Sequence, residues 1–110
     1  SIRQYSEYLL KMHQPKLAFE QLGKIQYSEF RASDFILMSD IQLALSETLQ
    51  AEHILKEGLE YWSQDTDLRM AFAHVLKQNQ KNEQSRHQLA LVLKLDHTHP
   101  QAKQYLAEYH

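Results

Sequence analysis

Ala18-Phe19-Glu20-Gln21-Leu22 returns as Ala51-Glu52-His53-Ile54-Leu55, and again as Ser85-Arg86-His87-Gln88-Leu89. In each stretch a small residue is followed four positions later by leucine, one helical turn further on. The copies lie 33 and then 34 residues apart. Such a period predicts stacked helical hairpins, each burying its apolar face against its neighbours, and argues against a single closed globule. A stack of this kind presents an extended surface suited to holding another protein, which sets a functional class without naming a partner.

Outward from these stretches, the rest of the chain reads as helix. It holds only two Gly and two Pro, and apolar residues recur at helical spacing throughout. Ile2, Tyr5, Leu9 and Leu10 mark a first helix, from about Ile2 to Met12. Pro15 suits the first turn of a second, striped by Leu17, Ala18, Leu22 and Ile25. A third, capped by Ser33 or Asp34, carries Phe35, Met38, Ile41, Gln42 and Leu45. A fourth, capped by Thr48, carries Ala51, Leu55, Gly58 and Leu59. A fifth, capped by Asp65 or Thr66, carries Arg69, Phe72, Ala73 and Leu76. A sixth, capped by Asn82, carries Ser85, Leu89, Val92 and Leu93. Pro100 opens a seventh, ending near Tyr109. The short connections place consecutive helices antiparallel. The chain is expected to be one all-α domain over 1–110. Its repeats are approximately 1–31, 32–65 and 66–99, with a capping helix over 100–110.

Composition removes several function classes. Twelve basic and fourteen acidic residues give a formal charge of −2, and basic residues are nowhere clustered. Nothing here suits nucleic acid or an anionic membrane. There is no cysteine, so disulfides and thiolate chemistry are excluded. No apolar stretch approaches the roughly 18 residues that span a bilayer, so no direct membrane insertion is expected. The chain begins at Ser1 and reads as an excised or processed piece, so its compartment is not legible.

The repeat resembles the tetratricopeptide repeat (TPR) family over essentially the whole chain. Val92-Leu93-Lys94-Leu95-Asp96-His97-Thr98-His99-Pro100 is similar to the family's A-L-E-L-D-P-N-N-P junction. The family's first-helix Leu-Gly pair stands here as Tyr5-Ser6, Met38-Ser39, Phe72-Ala73 and Leu106-Ala107. Ser or Ala still supplies the small side chain needed where two helices of a hairpin approach. The second-helix small site is Ala18, Ala51 and Ser85, and a third small site is Gly58, with Ile25 and Val92 at its equivalents. The departures lie at the first-helix aromatic, met only by Phe35 against Ile2, Arg69 and Lys103. The turn glycine is also replaced, by His13, Ser46 and Gln80. The resemblance implies a right-handed superhelix of about seven helices, whose first helices line a concave groove.

Carried over residue by residue, that groove is lined by Arg3, Glu7 and Leu10, by Ile36, Leu37, Asp40, Leu43 and Ala44, and by Asp67, Met70, Ala71, His74, Lys77 and Gln78. Gln101, Gln104, Tyr105 and Glu108 extend it. Its apolar middle fits a partner peptide or amphipathic helix, with Leu37, Leu43 and Met70 as anchors and Asp40 and His74 setting orientation. Chaperone-binding members hold a peptide's C-terminal carboxylate with Lys, Asn and Arg. Arg3, Glu7, Leu37, Asp67 and Ala71 at the corresponding places do not suit one. The alternative is an assembly or accessory domain of a larger enzyme or cell-envelope machine, its apolar face packed in cis. Self-association through an uncovered end is open to such stacks.

Of the seven His, His97 and His99 flank Thr98 with too few further ligands to hold a metal. His53 and His87 sit one period apart on helices about 10 Å from each other, too far to share an ion. Asp65-Thr66-Asp67 reads as a helix cap. There is no phosphate loop and no supported catalytic triad. No enzyme activity, cofactor or metal is expected.

Overall fold

In a computed structural model, residues 1–109 are described and form seven α-helices with no strand among them. These are α1 (Ile2–Lys11), α2 (Pro15–Leu22), α3 (Ala32–Ala44), α4 (Thr48–Tyr61), α5 (Thr66–Gln78), α6 (Asn82–Leu95) and α7 (Pro100–Ala107). A short 3-10 turn, Tyr27–Glu29, not expected from sequence, precedes α3.

The densest packing joins α1 to α2, α3 to α4 and α5 to α6. Cross-links show that such pairs run antiparallel: Arg69 Nη1 donates to Gln88 Oε1 at 2.7 Å, while Ser85 Oγ donates to the Ala73 carbonyl at 2.7 Å. Helices α2, α4 and α6 pack in turn on α3, α5 and α7. The molecule extends 39 × 25 × 20 Å.

Small residues set the closest crossings. Ser6 and Ala18, Ser39 and Ala51, and Ala73 and Ser85 are all buried. Ser6 Oγ donates to the Ala18 carbonyl at 2.8 Å, and the third pair reverses the roles through Ser85 Oγ. Ser39 Oγ bonds within its own helix, to the Ile36 carbonyl at 2.7 Å. Each hydroxyl is therefore satisfied where no water reaches.

The three turns inside the pairs are copies of one another. His13, Ser46 and Gln80 all take positive φ, 61°, 61° and 63°. Around them Gln14 N donates to Leu9 O, Glu47 N to Gln42 O and Lys81 N to Leu76 O, each at 2.8 Å. The bonds that span fewer residues, His13 N to Leu10 O, Ser46 N to Leu43 O and Gln80 N to Lys77 O, at 3.1, 3.0 and 2.9 Å, complete three Schellman turns. A left-handed residue bearing a Cβ costs roughly 1 kcal/mol or more. Glycine at each of the three positions is expected to raise stability by about 0.5–1 kcal/mol after its own entropy cost, read as a higher urea midpoint.

These turns correct the expected caps. Thr48 and Asn82 are the first helical residues, and Glu47 and Lys81 occupy the cap positions without a side-chain bond. The residue that closes one helix also opens the next, which leaves no separate position for a polar cap. Helix α3 starts at Ala32 with Arg31 as N-cap, not Ser33 or Asp34. Asp34 acts in reverse, its Oδ2 accepting from Arg31 N at 2.8 Å. Asp65 caps α5 as expected, accepting from Leu68 N at 2.9 Å.

The core runs through Leu9, Leu22, Phe35, Met38, Ile41, Leu55, Leu68 and Leu76. Ile54, Leu68 and Val75, absent from the expected stripes, are buried, whereas Leu17 is exposed and Ile25 only half-buried. Ile2 and Tyr5, on the expected first stripe, are also exposed. Arg69 takes the place Phe35 holds one period earlier. Its Nη2 donates to the Ser63 carbonyl at 2.8 Å and its Nη1 to Gln88, while Nε stays buried without a partner among the described residues, so the charged head leaves the apolar layer only in part.

Candidate functional site

The expected groove residues fall into three columns at the same 33- and 34-residue steps: Arg3–Ile36–Met70, Glu7–Asp40–His74 and Leu10–Leu43–Lys77. Three and four residues separate neighbours within each helix, so the columns share one helix face. The odd-numbered helices meet side by side, α1 touching α3 and α3 touching α5. Among the described residues no comparable packing joins α2 to α4 or α4 to α6.

On this side Leu10, Ile36, Leu37 and Asp40 surround a cleft of about 290 Å³ between α1 and α3, with Glu7, Lys11 and Ser33 at its edge. A second cleft, about 420 Å³, opens between α5, α6 and α7. His74, Lys77 and Tyr105 line it, together with Gln78, Leu89, Glu108 and Tyr109. Leu43 and Met70, both half-buried, line neither cleft. The structure thus brings seven of the nine expected residues into two clefts, not one continuous channel.

Electrostatics links the clefts. Burial pushes the Asp40 carboxyl above the usual carboxylate range, while the His74 imidazole pulls it back. The folded state therefore holds the proton to higher pH than the unfolded chain. The contribution of this group to stability is complete below the unfolded carboxylate value and is lost as pH rises through the folded one. Asp40→Asn is expected to leave thermal stability unchanged near pH 3 and raise it near pH 7; equal melting shifts at both would contradict this.

Arg3, expected to face a guest, is bound into the stack. Its Nε lies 2.9 and 2.8 Å from the two Asp34 oxygens, and Nη2 is 3.3 Å from the Glu29 carbonyl. No family model, no curated protein and no solved structure matches the chain.

Sequence reasoning missed Tyr109. Its hydroxyl donates to Ser85 Oγ at 2.8 Å, and its ring lies 5.5 Å from Lys77 Nζ and 5.4 Å from the Arg86 guanidinium. It lies beyond the periodic pattern, so no spacing pointed to it. Lys77 also approaches Glu108 at 3.7 Å. Of the loop histidines, His99 is tied up as a cap, its Nδ1 accepting from Ala102 N at 3.1 Å. His53 is paired with Glu57 at 2.9 Å. Among the described residues no group of three His, Asp or Glu could hold a metal ion, and no helix is long and apolar enough to cross a membrane.

Proposed function

We propose that the chain is a non-catalytic binding module of the tetratricopeptide kind, holding a partner peptide or helix across α1, α3 and α5. The observation that carries this reading is the three-column face. A polar column, Glu7–Asp40–His74, runs between two that are apolar over most of their length, Ile36–Met70 and Leu10–Leu43. An amphipathic segment laid across it sets apolar side chains on both flanks and a polar group on the central line. The repeated Schellman turns and the buried Ser and Ala crossings support a stack of like units. Closer contact among the odd helices supports a concave side there, which fits a superhelical arrangement. Packed helices hold the face in place before a guest arrives, so little conformational entropy is lost on binding.

Leu37 and Met70 are half-buried at this surface, so charge placed there disrupts docking more than folding. Affinity capture from a lysate is the test, comparing wild type with the Leu37→Glu, Met70→Glu double variant. Retention of a protein by wild type and at least tenfold loss by the variant is expected, since desolvating one unpaired charge costs more than 1.4 kcal/mol. Equal retention with unchanged circular dichroism sinks the assignment.

A further inference from the structure

One cap in the stack is made by a group that titrates close to neutral pH. His99 Nδ1 accepts from Ala102 N at 3.1 Å and closes the first turn of α7. One period earlier, 34 residues back, Asp65 does the same for α5, its Oδ1 accepting from Leu68 N at 2.9 Å. Each acceptor takes the N–H three residues on, where a helix leaves its donors without partners. The two caps differ in their response to acid. A carboxylate remains ionised above about pH 4, whereas imidazole titrates at about pH 6.5, and its cation has two donors and no acceptor. A proton on His99 removes the cap and sets a positive charge at the positive end of α7.

We infer that His99 is a pH switch, which holds α7 in place at neutral pH and releases it in mild acid. Helix α7 is poorly placed to withstand the loss. It is eight residues long and buries only Ala102, and a helix of that length is not stable alone. Helices α5 and α6 run antiparallel, so the start of α5 lies at the same end of the stack as His99. The charged groups at this end are Asp96 and His97 in the same turn, Lys94 and Lys103 on the flanking helices, and Asp65, Asp67 and Arg69 on α5. Hydrogen bonds from the Thr98 hydroxyl and backbone N–H hold the Asp96 carboxyl below the usual range, with smaller pulls from His99 and His97. Asp96 therefore stays ionised throughout and does not switch. The contacts at the far end of α7, Tyr109 with Ser85 and Glu108 with Lys77, contain no group that titrates between about pH 5 and 8. Tyr105, Glu108 and Tyr109 wall the second cleft, so releasing α7 opens it. That a guest feels the change rests on the proposed function; the switch does not.

The experiment follows Cα chemical shifts over 101–106 from about pH 8 to about pH 5. In wild type their helical offset is expected to fall as the His99 ring titrates, docking of α7 weakening roughly tenfold. Helix α5, capped by Asp65, is expected to keep its offset in the same spectra. His99→Asn and His99→Asp cap at every pH in this range and should hold α7 helical at the acid end. His99→Ala should leave it weakened at both ends. A wild-type offset that does not change with pH would overturn the inference. So would a His99→Asn variant that follows the wild-type curve, which would assign the change to another histidine, or a His99→Ala variant as helical as wild type at about pH 8.

Discussion

Valine at position 58 is expected to destabilise the fold by about 2–3 kcal/mol. A Cβ added to Gly58 would lie 2.7 Å from Phe35 Cγ and 3.0 Å from Phe35 Cβ. Phe35 has nowhere to retreat. Its ring lies 5.0 Å from Phe30, 5.8 Å from Tyr61 and 5.9 Å from Tyr27, and it is fully buried. Helix propensity favours replacing glycine by alanine by up to roughly 1 kcal/mol, and by valine less, so alanine should cost less than valine. The register explains why glycine stands here alone. Its equivalents Ile25 and Val92 belong to pairs whose first helix carries Ile2 and Arg69 where this one carries Phe35. Phe35→Leu should therefore recover part of the loss in Gly58→Val, and a double-mutant cycle by urea unfolding reads the coupling. Additive losses would mean that the two residues do not compete for the same space.

Removing the Arg3 guanidinium should cost roughly 3 kcal/mol. The Asp34 side chain is 3% exposed, and in Arg3→Ala its carboxylate keeps only the Arg31 backbone donor. An uncompensated buried charge is the expensive outcome, not the loss of a favourable pair. The chain holds its own control, because α5 carries fully buried Leu68 in the register of Asp34. Arg3→Met combined with Asp34→Leu is expected to regain most of the stability. Hydrogen exchange along α1 adds a second readout, since Arg3 ties α1 to α3. Faster exchange confined to α1 in Arg3→Ala is the expected pattern, and unchanged stability would contradict it.

Both effects grow from features that were legible to different degrees. The helices and the small-residue crossings could be read because close approach admits only Ser, Ala or Gly, which leaves a periodic trace. The turns could be placed but not described. His13, Ser46 and Gln80 give no compositional sign of a left-handed backbone, and the shared residues Gln14, Glu47 and Lys81 hide where one helix ends and the next begins. Arg3 was legible as part of a face but not as the partner of Asp34, because a 31-residue separation has no local signature. The division of the face into two clefts depends on α7 and on Tyr109 folding back onto Ser85, a contact outside the repeat.

The binding face is the central claim, and backbone amide shift mapping tests it most directly. An isotopically labelled chain would be titrated with the partner captured by wild type. Shifts concentrated at Ile36, Leu37, Asp40, Leu43, Met70 and His74, with His53 and His87 on the even helices unmoved, are the predicted result. Shifts on α2, α4 and α6 with α3 and α5 silent would place the partner on the other side and contradict it.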